Sequence, residues 1–222
     1  MDPSGTAEHD APKAAPPARI LGAIALIGVG IFATVCAAVQ FLRRDYAWLR
    51  VPLSFYALGP YGRAVVASYF ALSAGLVSLG LGWYRTLARE ARSAAPLLLF
   101  VIGAFALGST AIDFTDVPNR PPTFHGFMHV LAAGAAFLCV TVAMLLQAWR
   151  LRLDRRWRAR FRSAFTLAAI TFVALWIYAL VKPIPRGLGE KILIVLILLW
   201  LWRAAWWLAT DRSRDRMPTG SS

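Results

Sequence analysis

Six long apolar runs alternate along the chain with short polar segments. Each run approaches or exceeds about 20 residues, the length that an α-helix needs to cross the hydrocarbon core of a bilayer. The sequence shows no regular alternation of helical and strand-like segments, the pattern that would indicate a soluble domain. The pattern therefore predicts an all-α polytopic membrane protein, a bundle of six transmembrane helices, at roughly residues 20–42, 63–84, 95–112, 125–147, 163–182 and 189–209.

Polar tails flank this region. Residues 1–18 are rich in Pro and Ala, and residues 211–222 are polar, so both are predicted to be disordered around a transmembrane domain at residues 19–210. The second and third runs are rich in Gly, Ala and Ser, which allow membrane helices to approach closely. We expect these two helices inside the bundle, and we expect the sixth, rich in Leu, Ile and Trp, to face lipid.

Composition and charge agree with a membrane protein. The chain is 59% hydrophobic and 16% charged, against about 25% charged residues in soluble domains. Its net charge of +13 could indicate nucleic acid, but the arginines lie in short segments between the runs, most densely at residues 150–162. This is the positive-inside pattern. It predicts the cytoplasmic (inner) membrane, both termini cytoplasmic, and membrane lipids rather than nucleic acid as partners.

The segment between the third and fourth runs, "DFTDVPNRPPTFHGFMH", concentrates groups that titrate or bind metals. Thr123 is predicted to be the N-cap of the fourth helix. His125 and His129 then lie four residues apart on one helix face, the spacing by which a helix presents two imidazoles to one metal. With Asp113 and Asp116 they would suit zinc or another divalent ion.

Two other interpretations of this segment are open. In the structural one, the aspartates end the third helix, Arg120 pairs with one of them, and the histidines bond to loop carbonyls. In the other, the cluster binds a proton or a polar ligand. Glu190, at the start of the sixth run, is either an acid favoured by the helix dipole or a member of an outward-facing polar cluster, as a third carboxylate or as an ion-pair partner for Arg120.

Four stretches resemble the integral membrane family catalogued as domain of unknown function 998. They are "PLSFYALGPYG", "SYFALSAGLVSLGLG", the His-Gly-x-x-His segment above, and "GLGEKILIVLILLWLW", where Lys191 replaces the family's Arg. The resemblance covers about residues 20–209 and implies six helices. It implies no established activity.

Function is therefore predicted only as far as a membrane protein whose outward-facing Asp/His cluster binds a metal or a polar headgroup. A zinc-dependent hydrolase of a lipid amide or ester is one alternative, since the His-x-x-x-His pair is similar to that of the alkaline ceramidase relatives. Those proteins have seven helices, and no Ser-x-x-x-His pair is present in this chain. A transporter of a small solute or protons is a second alternative. The sequence leaves open whether the protein is an enzyme and whether it is an oligomer.

Overall fold

Six long helices form the protein, as the apolar runs predict. The structure, a computed structural model, describes residues 17–113, 115–116, 121–181 and 183–211. Those residues contain no strand, and six of their helices are long and apolar enough to cross a membrane. The helices are α1 Pro17–Leu42, α2 Gly62–Thr86, α3 Ala94–Ile112, α4 Phe124–Leu151, α5 Phe161–Leu180 and α6 Arg186–Ala209, with short 3-10 helices at Leu53–Ala57 and Arg158–Arg160.

Some predictions fall outside the described residues. Of the tails predicted to be disordered, 1–18 and 211–222, residues 1–16 and 212–222 lie outside the described residues, and so does Arg120, for which an ion pair is predicted. These stay predictions.

The helices are arranged as a ring. Each helix packs mainly against its neighbours in the sequence, and α6 returns to pack against α1, so that the ring closes. Contacts across the ring, between α2 and α6 or between α4 and α6, are much sparser. A closed ring with few cross-contacts leaves space along its axis.

The segments that join consecutive helices lie at the two ends of this ring. At one end, the α1–α2 connection (residues 43–61, hereafter loop one) bonds to the start of α6, where Leu188 N donates to Leu49 O at 2.9 Å. At the other end, the α2–α3 and α4–α5 connections meet, where Ala88 N donates to Asp154 Oδ2 at 3.0 Å. We call the first end the loop-one end; the α3–α4 connection also lies there, because Thr115 lines the same cavity as Ser54.

Small residues allow the helices to approach closely. A Cβ on Gly28 of α1 would lie 2.4 Å from Ala71 O of α2, and one on Gly22 would lie 2.5 Å from Ala209 N of α6. As expected, α2 is the most buried of the six described spans. The expected order of the other two was wrong, because a larger share of α6 than of α3 is buried, although α6 also has an exposed apolar face that includes Ile192, Val195 and Leu199. Ring closure gives α6 an inward face that includes Ala204 and Ala205.

The close contact of α1 with α2 gives a test of this packing. We expect Gly28→Ala to lower the stability of the detergent-solubilised protein by about 1–3 kcal/mol, the usual cost of overpacking. Gly30→Ala is the matched control, because its Cβ would meet the Trp202 ring at an ordinary 3.6 Å. Thermal unfolding of both variants measures the difference; equal stabilities would contradict the α1–α2 contact.

Candidate functional site

Asp113 holds both histidines of the α3–α4 connection. It ends α3, and its Oδ1 lies 2.7 Å from His125 Nδ1. Its backbone oxygen lies 2.7 Å from His129 Nδ1. Because a carbonyl oxygen only accepts hydrogen bonds, Nδ1 of His129 donates in this contact, and in the tautomer with this proton on Nδ1 alone, Nε2 is an acceptor. One residue thus orients two imidazoles that lie one helical turn apart.

Asp116 serves the start of α4 instead. Its Oδ1 accepts from Thr123 Oγ1 at 2.6 Å, and the backbone N of Thr123 lies 3.2 Å from both carboxylate oxygens. Thr123 is the N-cap, as predicted, and its hydroxyl accepts from Gly126 N at 3.0 Å. A Cβ on Gly126 would lie 2.0 Å from Asp116 Oδ2. Glycine is therefore required at this position for the carboxylate to reach the cap.

These contacts do not assemble the four predicted metal ligands. Asp113 is shared by the two histidines, while Asp116 is bonded to the helix cap. Among the residues that the structure describes, no three side chains of His, Cys, Asp or Glu are grouped so as to hold a metal ion. The side chains therefore do not fit a four-ligand zinc centre as they stand, and metal binding stays a prediction.

Glu190 is bonded to loop one. It is the fifth residue of α6 and is buried, and its Oε1 accepts from Leu53 N at 3.1 Å. The neighbouring Lys191 donates to Val51 O at 3.1 Å and also to Trp48 O. Glu190 thus accepts from a backbone N–H of loop one, and Lys191 beside it donates to backbone carbonyl oxygens of the same loop.

The backbone of α6 completes this junction. Gly187 N donates to Arg50 O at 3.2 Å, and a Cβ on Gly187 would lie 2.5 Å from Val51 O. The Gly-x-x-Glu-Lys stretch, Gly187 to Lys191, therefore fixes loop one across the beginning of α6. We call this set of contacts the loop-one clamp.

Loop one folds over the end of the ring. Leu53 and Tyr56, on its short 3-10 helix, are buried, and Gly59 adopts a left-handed φ of 74° at the Gly-Pro turn. Arg43 donates to Leu58 O at 2.8 Å and pairs with Asp45. The Arg43 guanidinium lowers the pKa of the Asp45 carboxyl below its usual value. The loop is thus a capping loop, held together internally by Arg43 and fixed from outside by α6.

A cavity of about 310 Å³ lies beneath this loop, within the ring. All six helices contribute to its walls, which are mainly apolar; Leu76, Ile197 and Leu201 line its deeper part. Its polar side chains come from the loop-one end: Ser54, Tyr69, Thr110, Thr115, His129, Tyr178, Arg186 and Glu190. The cavity is therefore amphipathic, with one polar end and one apolar end.

Several of these residues were missed by sequence reasoning. Tyr178 lies beside both Glu190 and Arg186, and all three line the cavity with His129. The one signal in the sequence was that Tyr178 and Glu190 are polar residues near the ends of apolar runs. The cavity unites two motifs, His-Gly-x-x-His and Gly-x-x-Glu-Lys, that lie far apart in the sequence.

Comparison with protein families identifies the chain. A family model described as Protein of unknown function (DUF998) matches residues 14–207. The chain therefore belongs to this family, which confirms the resemblance seen in its motifs. No curated protein and no solved structure matches the chain.

The loop-one clamp predicts how loop one responds to substitution of Glu190. In Glu190→Ala the buried Leu53 amide loses its acceptor, which costs about 1–3 kcal/mol, so we expect amide hydrogen exchange in residues 51–57 to be roughly 10- to 100-fold faster. Glu190→Gln keeps an oxygen acceptor and is expected to exchange much more slowly than the Ala variant. Unchanged exchange in both variants would show that the carboxylate does not hold the loop.

Metal content tests the remaining interpretation of the histidine pair. Because Asp116 is bonded to the helix cap, we expect the purified protein to contain well under one zinc ion per chain by elemental mass spectrometry. We expect His125→Ala and His129→Ala to leave that content unchanged. Near-stoichiometric zinc that is lost in both variants would contradict this and make the pair a metal site.

Proposed function

We propose that this membrane protein binds the polar head of a membrane amphiphile at the loop-one end of its central cavity. The observation that carries the proposal is the amphipathic lining of that cavity: polar side chains at one end and apolar walls along the rest. Ligand sites are commonly apolar cavities with a few convergent polar groups, and their volumes are about 300–1,000 Å³. At about 310 Å³ this cavity lies at the lower end of that range.

Burying ionisable side chains at the polar end of the cavity costs free energy, which supports a binding role for them. Ionisable side chains within membrane-spanning helices are unfavourable and usually mark functional sites. His129 and Glu190 are both buried, lie on different helices, and line the same space. Each is also fixed by a backbone hydrogen bond, His129 to Asp113 O and Glu190 to Leu53 N. The polar groups are therefore preorganised for a ligand.

The chemistry of these groups describes the head that they would bind. Nε2 of His129 and the Glu190 carboxylate offer acceptors, whereas Arg186 and the Tyr178 hydroxyl offer donors. A head with both hydrogen-bond donors and acceptors, such as a hydroxyl or amide group, would satisfy both sets. We place this end outward, with the termini in the cytoplasm of a cell with an inner membrane; the arginine-rich residues 150–162 at the opposite end support this orientation.

The alternative functions have less support. A transport path for ions would need polar groups along its length, but the deeper cavity walls are apolar. A hydrolase is favoured by one contact, since Asp113 orients His125 as a carboxylate orients a general base. That imidazole is 73% exposed, and His125 does not line the cavity. Amphiphile binding therefore accounts for more of the described polar residues.

Native mass spectrometry of the protein released from detergent tests the proposal, with the retained lipid identified after solvent extraction. We expect about one amphiphile per chain. In His129→Asn the amide can still donate to Asp113 O, so the hairpin is kept while Nε2 is removed; we expect occupancy to fall with a roughly tenfold loss of affinity, the effect of one hydrogen bond of about 1.4 kcal/mol.

The control for this experiment is His125→Ala, which removes an exposed histidine from the same helical turn and is expected to keep the ligand. Amphiphile retained equally by folded His129→Asn and wild-type protein would contradict the proposed polar end. Lipid that is bound only as a variable surface layer, with no defined stoichiometry, would also contradict the proposal.

A further inference from the structure

We infer that the central cavity opens sideways into the hydrocarbon of the bilayer between α4 and α5, and that it admits a single acyl chain of a bilayer lipid through this opening. The inference rests on the proposed function and names the ligand class and its route. It depends on residues of α4 that line the cavity and also face outward.

Val130 and Gly134 show that the wall of the cavity is incomplete. Val130 lines the cavity, yet it is 70% exposed. Gly134 also lines the cavity and is exposed, and a Cβ built on it would meet no atom within 4 Å. A residue can have both properties only where the cavity communicates with the exterior of the ring.

The α3 side of α4 is closed, so the opening lies on the α5 side. A Cβ on Gly103 of α3 would lie 2.8 Å from the Val140 side chain of α4, which shows direct contact between these helices. On α5, Leu175 and Tyr178 line the cavity. The residues of α5 that follow Leu175 are mostly exposed, so the end of this helix is poorly covered.

Tyr178 shows where the end of α5 packs. A Cβ on Gly189 of α6 would lie 2.9 Å from the Tyr178 ring, whereas the rings of Tyr178 and Phe137 of α4 are 6.4 Å apart between centroids. The end of α5 therefore touches α6 directly and meets α4 through the ring contact of Tyr178 with Phe137. Because Phe137 lies almost one turn further along α4 than Gly134, this ring pair borders the opening on its deeper side.

The depth of the opening identifies what lies outside it. Gly134 is ten residues from the start of α4, or about 15 Å at 1.5 Å per residue, in a helix of 28 residues. That position falls within a hydrocarbon core about 30 Å thick. The medium at the opening is therefore acyl chain rather than water or headgroups.

The volume limits the occupant to part of a lipid. A cavity of about 310 Å³ is at the small end of ligand sites and cannot enclose a whole two-chain lipid. A lipid bound there must leave some of its mass in the bilayer, which a lateral opening permits and a closed ring would prevent. Apolar walls suit the chain, and the polar end of the cavity suits a group at or near its head.

Photocrosslinking in lipid nanodiscs tests this route. The probe is a phosphatidylethanolamine with a diazirine in one acyl chain, because its head has both hydrogen-bond donors and acceptors, and labelled peptides are identified by mass spectrometry. In wild-type protein we expect labelling of the cavity residues Leu76 and Leu201, as well as of lipid-facing Phe105, which is 73% exposed. In Gly134→Trp we expect cavity labelling to fall at least about tenfold, with labelling at Phe105 unchanged.

Leu138→Trp is the matched control, because Leu138 lies one turn further along α4, is exposed and does not line the cavity. We expect it to label like wild type. If Gly134→Trp does not fold, Gly134→Cys in a Cys139→Ala background can be blocked after folding with a bulky maleimide; the remaining Cys36 is buried in the core. The block is expected to have the same effect as Trp.

Two results would overturn the inference, and they are distinguishable. Cavity labelling that persists in both blocked proteins would show that the chain enters elsewhere, while leaving amphiphile binding intact. An unlabelled cavity in wild type, with Phe105 labelled, would exclude an acyl-chain occupant. If native mass spectrometry also finds no ligand of defined stoichiometry, the proposed function fails with it.

Discussion

The structure depends on the hydrogen bonds that hold a non-helical loop across one end of a bundle of membrane helices. Backbone N–H and C=O groups that leave water must find partners within the protein. Loop one finds them at the start of α6, where Glu190 accepts from Leu53 N and Lys191 donates to Val51 O. Gly187 allows the two backbones to approach, because any side chain there would collide with Val51 O. This junction joins the first connection of the chain to its last helix and covers the cavity.

The same hydrogen bonds that hold the connections also place the polar groups of the cavity. His129 is oriented by the backbone of Asp113, and Glu190 by that of Leu53. A ligand head would therefore meet side chains whose positions are already fixed, so little ordering cost would accompany binding. The ring architecture supplies the complementary part, since sparse contacts across the ring leave apolar space beside those groups.

The sequence predicted the parts of the fold that depend on interactions between residues close together in the chain. Six spans follow from the length of the apolar runs, and the Thr123 cap follows from a hydroxyl ahead of a helix. The bond between Glu190 and Leu53 joins residues 137 positions apart, and no periodicity encodes such a pairing. The relative burial of α3 and α6 was not predicted, because composition does not reveal which helices close a ring. The cavity could not be predicted for the same reason, because it arises from packing among all six helices.

The His-Gly-x-x-His spacing has a physical explanation that requires no metal. Asp113 presents two oxygens to α4, one on its side chain and one on its backbone, and residues four apart on a helix reach the same side. His125 meets the first oxygen and His129 the second, each at 2.7 Å. Gly126 lies between them because Asp116 occupies the space that a Cβ would need. The motif thus joins the end of α3 to the start of α4, and in doing so it directs one imidazole toward the surface and the other into the cavity wall.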